Sequence, residues 1–234
     1  MRMVFDSPAA DDRAALEERF RREVAAPFEM EHSFSESGRA KRLAVLVSRE
    51  DHCLSDLLWR WRKGHLGGEI VTVISNHEDL RGEVEAVGLP FHHVPIDRET
   101  RTEAEGRARE LIGDVDLLVL ARYMQILSPA FLTALAAPAI NIHHSFLPAF
   151  VGADPYARAH ERGVKLIGAT AHYVTAELDA GPIIDQDVVR VGHADEVADL
   201  VRIGRDVERL VLARAVTAHL EDRVLIDGKR TVVF

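Results

Sequence analysis

Apolar residues fall along this chain in short runs separated by stretches of helical period. Leu43 to Val47 is a continuous apolar run, as expected for a strand buried on both faces. Ile70 to Ile74, Phe91 to Val94, Asp116 to Leu120 and Ala139 to Ile142 predict four further strands. Between the first two, Leu54, Leu57, Leu58 and Trp61 recur at helical spacing, and Gly64 is a natural stop. Glu78 to Val87 predicts a second helix, closed by Gly88 and Pro90. Glu103 to Ile112 predicts a charged helix with a thin apolar stripe, and Ser128-Pro129 the capped start of another. Strands alternating with helices predict βαβ units and a mainly parallel sheet. Right-handed crossovers then place helices on both faces, and ligands bind beyond the carboxyl ends of the strands.

The pattern changes toward both ends. Thr170 to Val174 and Ile183 to Val191 predict strands around the turn-rich Asp179-Ala180-Gly181-Pro182. Glu196 to Leu220 carries a long helical period with acids in its first turn, and Arg223 to Phe234 predicts a hairpin turning at Asp227-Gly228. At the other end, Met1 to Phe5 is apolar, Asp11 to Val24 helical and Phe28 to Ser33 alternating. This predicts a βαβ piece over residues 1–36, a polar linker over 37–41 and a main domain over 42–234. So short a piece can hardly bury a core of its own. It is expected to lean on the main domain or on another copy, hence an expected homo-oligomer, dimer or tetramer.

The chain has 234 residues and a net charge of -9 with no basic block, which argues against a nucleic-acid or anionic-membrane surface. Its one cysteine, Cys53, excludes an internal disulfide. The N-terminus lacks an apolar signal core, and no run approaches the roughly 18 apolar residues of a membrane span. The expected location is the cytoplasm.

Chemistry concentrates in a few places. Asn141 and His143 are two apart on the predicted fifth strand and so share a face, an amide beside an acid–base group. His144 must face elsewhere if strand geometry persists. Strand-end polar residues satisfied by loop backbone are the alternative. Asp179 is either a turn former or a carboxylate folded back onto the imidazole. The segment Ala121-Arg122-Tyr123-Met124-Gln125-Ile126-Leu127-Ser128 follows the fourth strand, where an apolar loop with free backbone groups suits a flat heteroaromatic ligand. Its alternative is core for Met124, Ile126 and Leu127, with Arg122 in solvent. The turn after the first strand, Ser48-Arg49-Glu50-Asp51, has no glycine and two adjacent acids, which argues against a phosphate there. Asp51 would cap the helix that follows. Histidine occurs 12 times, yet no metal-binding spacing is present, so no metal is expected.

Asn141-x-His143 followed by Ser145-Phe146-Leu147-Pro148 resembles the signature of the folate-dependent formyltransferases. That family's catalytic trio maps onto Asn141, His143 and Asp179, the last within Glu177-Leu178-Asp179-Ala180-Gly181-Pro182-Ile183-Ile184. Met124-Gln125-Ile126-Leu127-Ser128 resembles its folate-binding loop. Longer strings resemble the deformylase branch, among them Asp51-His52-Cys53-Leu54, Asn141 to Ala153 and Gly204-Arg205-Asp206-Val207-Glu208-Arg209. The resemblance runs from about residue 40 to the C-terminus. It implies a Rossmann-like α/β formyltransferase fold and hydrolysis of 10-formyltetrahydrofolate to tetrahydrofolate and formate. Formate would feed purine biosynthesis and balance the one-carbon pool. The folate is the substrate, and no cofactor is implied.

The resemblance also implies roles. The pterin would lie against Met124 to Leu127 and the Thr175-to-Asp179 loop, with Arg122, Gln125, His144, Thr175 and Glu177 among the substrate contacts. Asn141 would donate to the formyl oxygen, and His143 would stabilise the oxyanion and pass a proton to N10. Asp179 would hold His143 charged and orient the water. His144 and His92 are further candidates on the water side. Transferase relatives carry a Gly-rich phosphate loop where this chain has Ser48 to Asp51, which points to water as acceptor. Deformylases carry an ACT domain before the catalytic domain; residues 1–36 resemble only its second half, so a truncated ACT-like piece is expected. A transferase to another amine, a folate-binding protein without turnover and a metallohydrolase stay open as alternatives.

Overall fold

The computed structural model describes residues 1–6, 13–149 and 154–234. Two compact units are present, Met1–Arg39 and Ala40–Phe234.

In the first unit the expected helix forms as α1 (Arg13–Phe20), running on through a π-helical turn (Arg21–Ala25) and a 3-10 turn (Ala26–Phe28). The proposed helix start at Asp11 lies outside the described residues. Neither flanking strand of the expected βαβ piece forms among the described residues. A strand exists only through its ladder partner, and these segments have none. They pack instead by aromatic edges: Phe34 meets Phe5, Phe20 and His32 at centroid distances of 6.4, 5.4 and 6.1 Å.

The second unit is an α/β sandwich. Its strands are β1 (Lys41–Val47), β2 (Gly68–Ser75), β3 (Phe91–His93), β4 (Leu117–Ala121), β5 (Ala139–His143), β6 (Leu166–Tyr173) and β7 (Ile183–Arg190). They form one sheet in the order β3-β2-β1-β4-β5-β6-β7. β3 through β5 are parallel, and β6 and β7 are antiparallel. The helices are α2 (His52–Arg62), α3 (Arg81–Ala86), α4 (Arg101–Ile112), α5 (Pro129–Ala134), α6 (Pro155–Arg162) and α7 (Val197–Leu220).

Alternate residues of β1 enter opposite cores, because strand side chains alternate in direction. Leu43, Val45 and Val47 pack with Leu54, Leu57 and Leu58 of α2, Val84 of α3, and Val211, Leu212 and Val216 of α7. Ala44 and Leu46 pack with Ala104, Ala108 and Ile112 of α4 and Phe131 of α5. The expected helices on both faces are therefore present. α7 begins one residue inside its predicted start, closed by a capping box between Glu196 and Asp199.

Two local expectations need correction, and one helix was not expected. Asp51 stands at the α2 N-cap but makes no side-chain capping bond; its αR backbone does not offer the extended geometry that a capping oxygen uses. The C-terminal hairpin, β8 (Val224–Asp227) with β9 (Arg230–Val233), turns on Gly228 and Lys229, since Asp227 pairs with Arg230. Gly228 supplies the positive φ, 60°, which a tight hairpin needs. α6 had no signal of its own: it is short and polar, with only Pro155, Tyr156 and Ala159 buried.

The strand order turns around between β1 and β4. At such a switch point the loops leaving the two strands diverge and open a crevice. The turn after β1, the Arg122–Ser128 segment after β4 and the end of β5 all lie at this edge.

Candidate active site

β5 ends at His143, so the strand delivers Asn141 and His143 to the sheet's carboxyl edge on one face. The loop joining β6 to β7 returns to the same place. His143 Nδ1 lies 3.3 Å from Asp179 Oδ2. The three residues expected from sequence thus meet in one cluster.

A fourth joins them. β6 runs antiparallel to β5 with His172 opposite Asn141, and Asn141 Nδ2 lies 3.3 Å from His172 Nε2. His172 Nδ1 sits 2.8 Å from the Tyr173 carbonyl, which can only accept, so Nδ1 carries a proton. In the neutral ring Nε2 is then an acceptor for the Asn141 amide. This fixes the amide orientation and leaves its second N–H free. His172 Nε2 is also 3.7 Å from Asp179 Oδ1. His172 is only 2% exposed. Its one sequence signal is a histidine inside an otherwise apolar strand, too weak to single out without the register.

Asp179 has φ 54°, a left-handed conformation that Asp tolerates better than most residues. The turn is clamped by Gly181, where a Cβ would lie 1.8 Å from the Tyr173 carbonyl oxygen. The closeness of His143, and then of His172, holds the Asp179 carboxyl well below the usual carboxylate range. It is ionised at any working pH. His143 is buried, and its Nε2 has no hydrogen-bond partner among the described residues. An amide N–H and a buried imidazole nitrogen are thus held ready beside a fixed carboxylate.

His144 does not face away, because the strand has ended by then. Its ring lies 5.3 Å from that of His143, centroid to centroid. Burial first, then the Arg122 charge, pushes its pKa down to about 4, so it is neutral near pH 7. His92 is not part of the cluster: it stands on β3, and three strands separate β3 from β5.

The segment after β4 divides. Met124 and Ile126 are 54% and 57% exposed, Leu127 is buried, and Gln125 is half-buried. The core alternative therefore fails at Met124 and Ile126 and holds at Leu127. The loop is pinned from below: Met124 N donates to Ser48 Oγ (3.0 Å), which donates to Asn76 Oδ1 (2.7 Å). Ser128 caps α5 by accepting from Phe131 N. An exposed apolar lip on a fixed backbone suits a flat ring. Thr175 and Glu177 are exposed on the loop that carries Asp179, with Thr175 Oγ1 donating to the Glu177 carbonyl.

Arg122 goes the other way. Its φ is 62°, and its Nε lies 3.3 Å from Glu208 Oε2. Glu208, on α7, is 1% exposed. It also contacts His52 Nε2 (2.9 Å) and accepts from Tyr156 Oη (2.6 Å). Burial alone would raise the Glu208 pKa, but His52, Arg122 and Tyr156 outweigh it and keep it below the ordinary value. Glu50, in the turn after β1, pairs with Arg205 of α7.

His52, Cys53 and Glu208 place possible ligand atoms within 4.8 Å of one another. This is a poor cation site. Both Glu208 oxygens are engaged, a guanidinium stands beside them, and burial holds the Cys53 thiol well above its ordinary pKa.

Comparison with known proteins agrees with this arrangement. Residues 41–216 match the family model described as formyl transferase. The chain is 60% identical over 220 residues to a formyltetrahydrofolate deformylase of Mycobacterium tuberculosis, covering 94% of this chain and 71% of the relative. It resembles the crystal structure of a formyltetrahydrofolate deformylase from Pseudomonas syringae, with TM-score 0.91, 52% identity and coverage of 99% and 76%. It also resembles glycinamide ribonucleotide transformylase 1 of Symbiobacterium toebii, with TM-score 0.77, 33% identity and coverage of 87% and 98%.

Proposed function

The chain belongs to the formyl transferase family, in its formyltetrahydrofolate deformylase branch, and we propose that it hydrolyses 10-formyltetrahydrofolate to tetrahydrofolate and formate. The observation that carries this is the convergence of Asn141, His143 and Asp179, with one amide N–H and one imidazole nitrogen left free.

The pterin lies on the lip formed by Met124 to Leu127, facing Thr175 and Glu177. Water attacks the formyl carbon while Asn141 Nδ2 donates to the carbonyl oxygen, whose charge grows in the transition state. One such donor is typically worth ~2.7–4 kcal/mol. His143 shares that charge, takes the proton that the attacking water loses and passes one to N10 as the C–N bond breaks. Asp179 fixes the Nδ1 side of the ring, so that Nε2 faces the reacting atoms. His172 holds the Asn141 amide in the donating orientation. Arg122, turned toward Glu208, acts behind the site and does not touch the folate; the folate side is left to Met124, Gln125, Ile126 and Leu127.

No helix among the described residues is long and apolar enough to cross a membrane; the place of action we assign is the cytoplasm, and the assembly a homo-oligomer. Purified protein supplied with 10-formyltetrahydrofolate should release formate without any amine acceptor. Formate release that depends on added glycinamide ribonucleotide would overturn the reading.

A further inference from the structure

Beside the catalytic cluster lies a cavity of about 230 Å³, whose walls include Glu50, His52, Arg122, His144, Tyr156 and Glu208. It shares His144 with the active site, and His144 stacks near His143. It sits at the switch point, beyond the carboxyl ends of β1 and β4, where such sheets take ligands. A second reactant would approach the formyl carbon through a space of this kind.

The inner charges of this cavity are paired, and Asp154 lines its wall as an exposed carboxylate. Glu208 holds His52, Tyr156 and Arg122, and Glu50 holds Arg205. A phosphate entering here meets carboxylates whose cations are already engaged, and an ammonium meets cations whose carboxylates are engaged. Either would have to open the buried Glu208 pair to bind at the inner wall; only the half-exposed Glu50–Arg205 rim and Asp154 are reachable without that. Water need not, since it is neutral and both donates and accepts, and His52 Nδ1 has no hydrogen-bond partner among the described residues.

Two backbone positions are shaped around this network. Arg122 is held at φ 62°, a conformation natural to glycine, and its side chain is the one that reaches Glu208. Gly204 is the reverse case: a Cβ there would lie 2.0 Å from Tyr156 Oη, so only glycine lets the phenol reach Glu208. A non-glycine where glycine is easy and a glycine where a side chain would be easy serve the same four-residue cluster.

We infer that the Arg122–Glu208–His52–Tyr156 network selects the acceptor: it reserves the space beside His144 for water and excludes amines. The inference rests on the deformylase reading. In hydrolysis the formyl carbon gains a bond to water oxygen, loses its bond to N10, and a proton ends on N10. With an amine in the space, the new bond is carbon to nitrogen, the amine loses the proton and N10 again receives one.

The test is the partition of the formyl group between water and a small amine without a phosphate, glycinamide, held above the pKa of its amino group (about 8) and measured as formate against N-formylglycinamide by mass spectrometry. The intact protein should give formate only, with capture no greater than an enzyme-free control. The double variant Arg122→Gly/Glu208→Gln removes both charges together and relieves the positive φ; its ratio of capture to hydrolysis should rise at least tenfold. Should that variant fail to fold, Glu50→Ser/Arg205→Ser opens the half-exposed rim without uncovering a buried charge, and a smaller rise is expected. Capture by the intact protein, or folded variants that turn over without increased capture, would overturn the inference. Absence of formate from the intact protein would instead overturn the deformylase reading.

Discussion

Two polar clusters sit side by side at the carboxyl edge of this sheet, and they are built from the same kinds of residue. One joins Asp179 to His143, His172 and Asn141; the other joins Glu208 to His52, Tyr156 and Arg122. They differ in what ties the carboxylate. Around Glu208 both carboxylate oxygens are used and the carboxylate is 1% exposed. Around Asp179 two imidazoles flank the carboxylate, and His143 Nε2 is buried without a partner among the described residues. Leaving a buried polar atom unpaired costs stability. Both clusters hold such nitrogens, His143 Nε2 in one and His52 Nδ1 and Arg122 Nε in the other; the difference is that the Glu208 carboxylate is tied to a guanidinium, which does not give up its proton, so that cluster shapes the space while the imidazoles around Asp179 can move protons.

The sharpest way to break this comparison is His143→Ala. Loss of a positioned acid–base group should lower kcat by roughly 10²–10⁴-fold, with thermal unfolding little changed. Asn141→Ala should lose about 10²–10³-fold through one oxyanion donor, again without unfolding. Near-intact turnover in either, measured by formate release, would remove that residue from the reaction.

Glu208→Gln should do the opposite. It leaves Arg122 buried against a neutral partner, and breaking such a pair costs about 3–5 kcal/mol, read as a lower urea midpoint. If Glu208→Gln were neutral in stability while Asp179→Asn unfolded the protein, the roles assigned to the two clusters would be reversed.

A smaller effect concerns pH. His144 and His219 are both pushed down to about 4, chiefly by burial. The unfolded chain therefore binds protons below about pH 6.5 that the folded chain refuses, and stability should fall as pH drops from about 6.5 toward 4. Each contributes on the order of 1–3 kcal/mol. Urea titrations across this window should show the slope, and His144→Phe should flatten part of it.

The smallest expected change is Met124→Ser with Ile126→Ser. Both side chains are more than half exposed, so stability should hold within about 0.5 kcal/mol while KM for the folate rises. An unchanged KM would move the pterin off this lip.

Much of this was legible in the residues. Five apolar runs with helical spacers determined a parallel sheet covered on both faces, because burial on two sides leaves no polar alternation. Asn141 and His143 shared a face because side chains on a strand repeat every second residue. Gly64 and Ser128 marked helix ends where expected. The tertiary structure decided the rest. Which His stands opposite Asn141 depends on the antiparallel register of β5 and β6, a long-range pairing with no local signal. Whether Met124 and Ile126 lie in core or in solvent depends on what packs over a loop, which hydrophobicity alone does not say. Arg122, read from the chain as a folate contact or a solvated side chain, became the partner of a buried carboxylate 86 positions later. Only the fold brings such charges together, because an ion pair is set by distance in space and the sequence records distance along the chain.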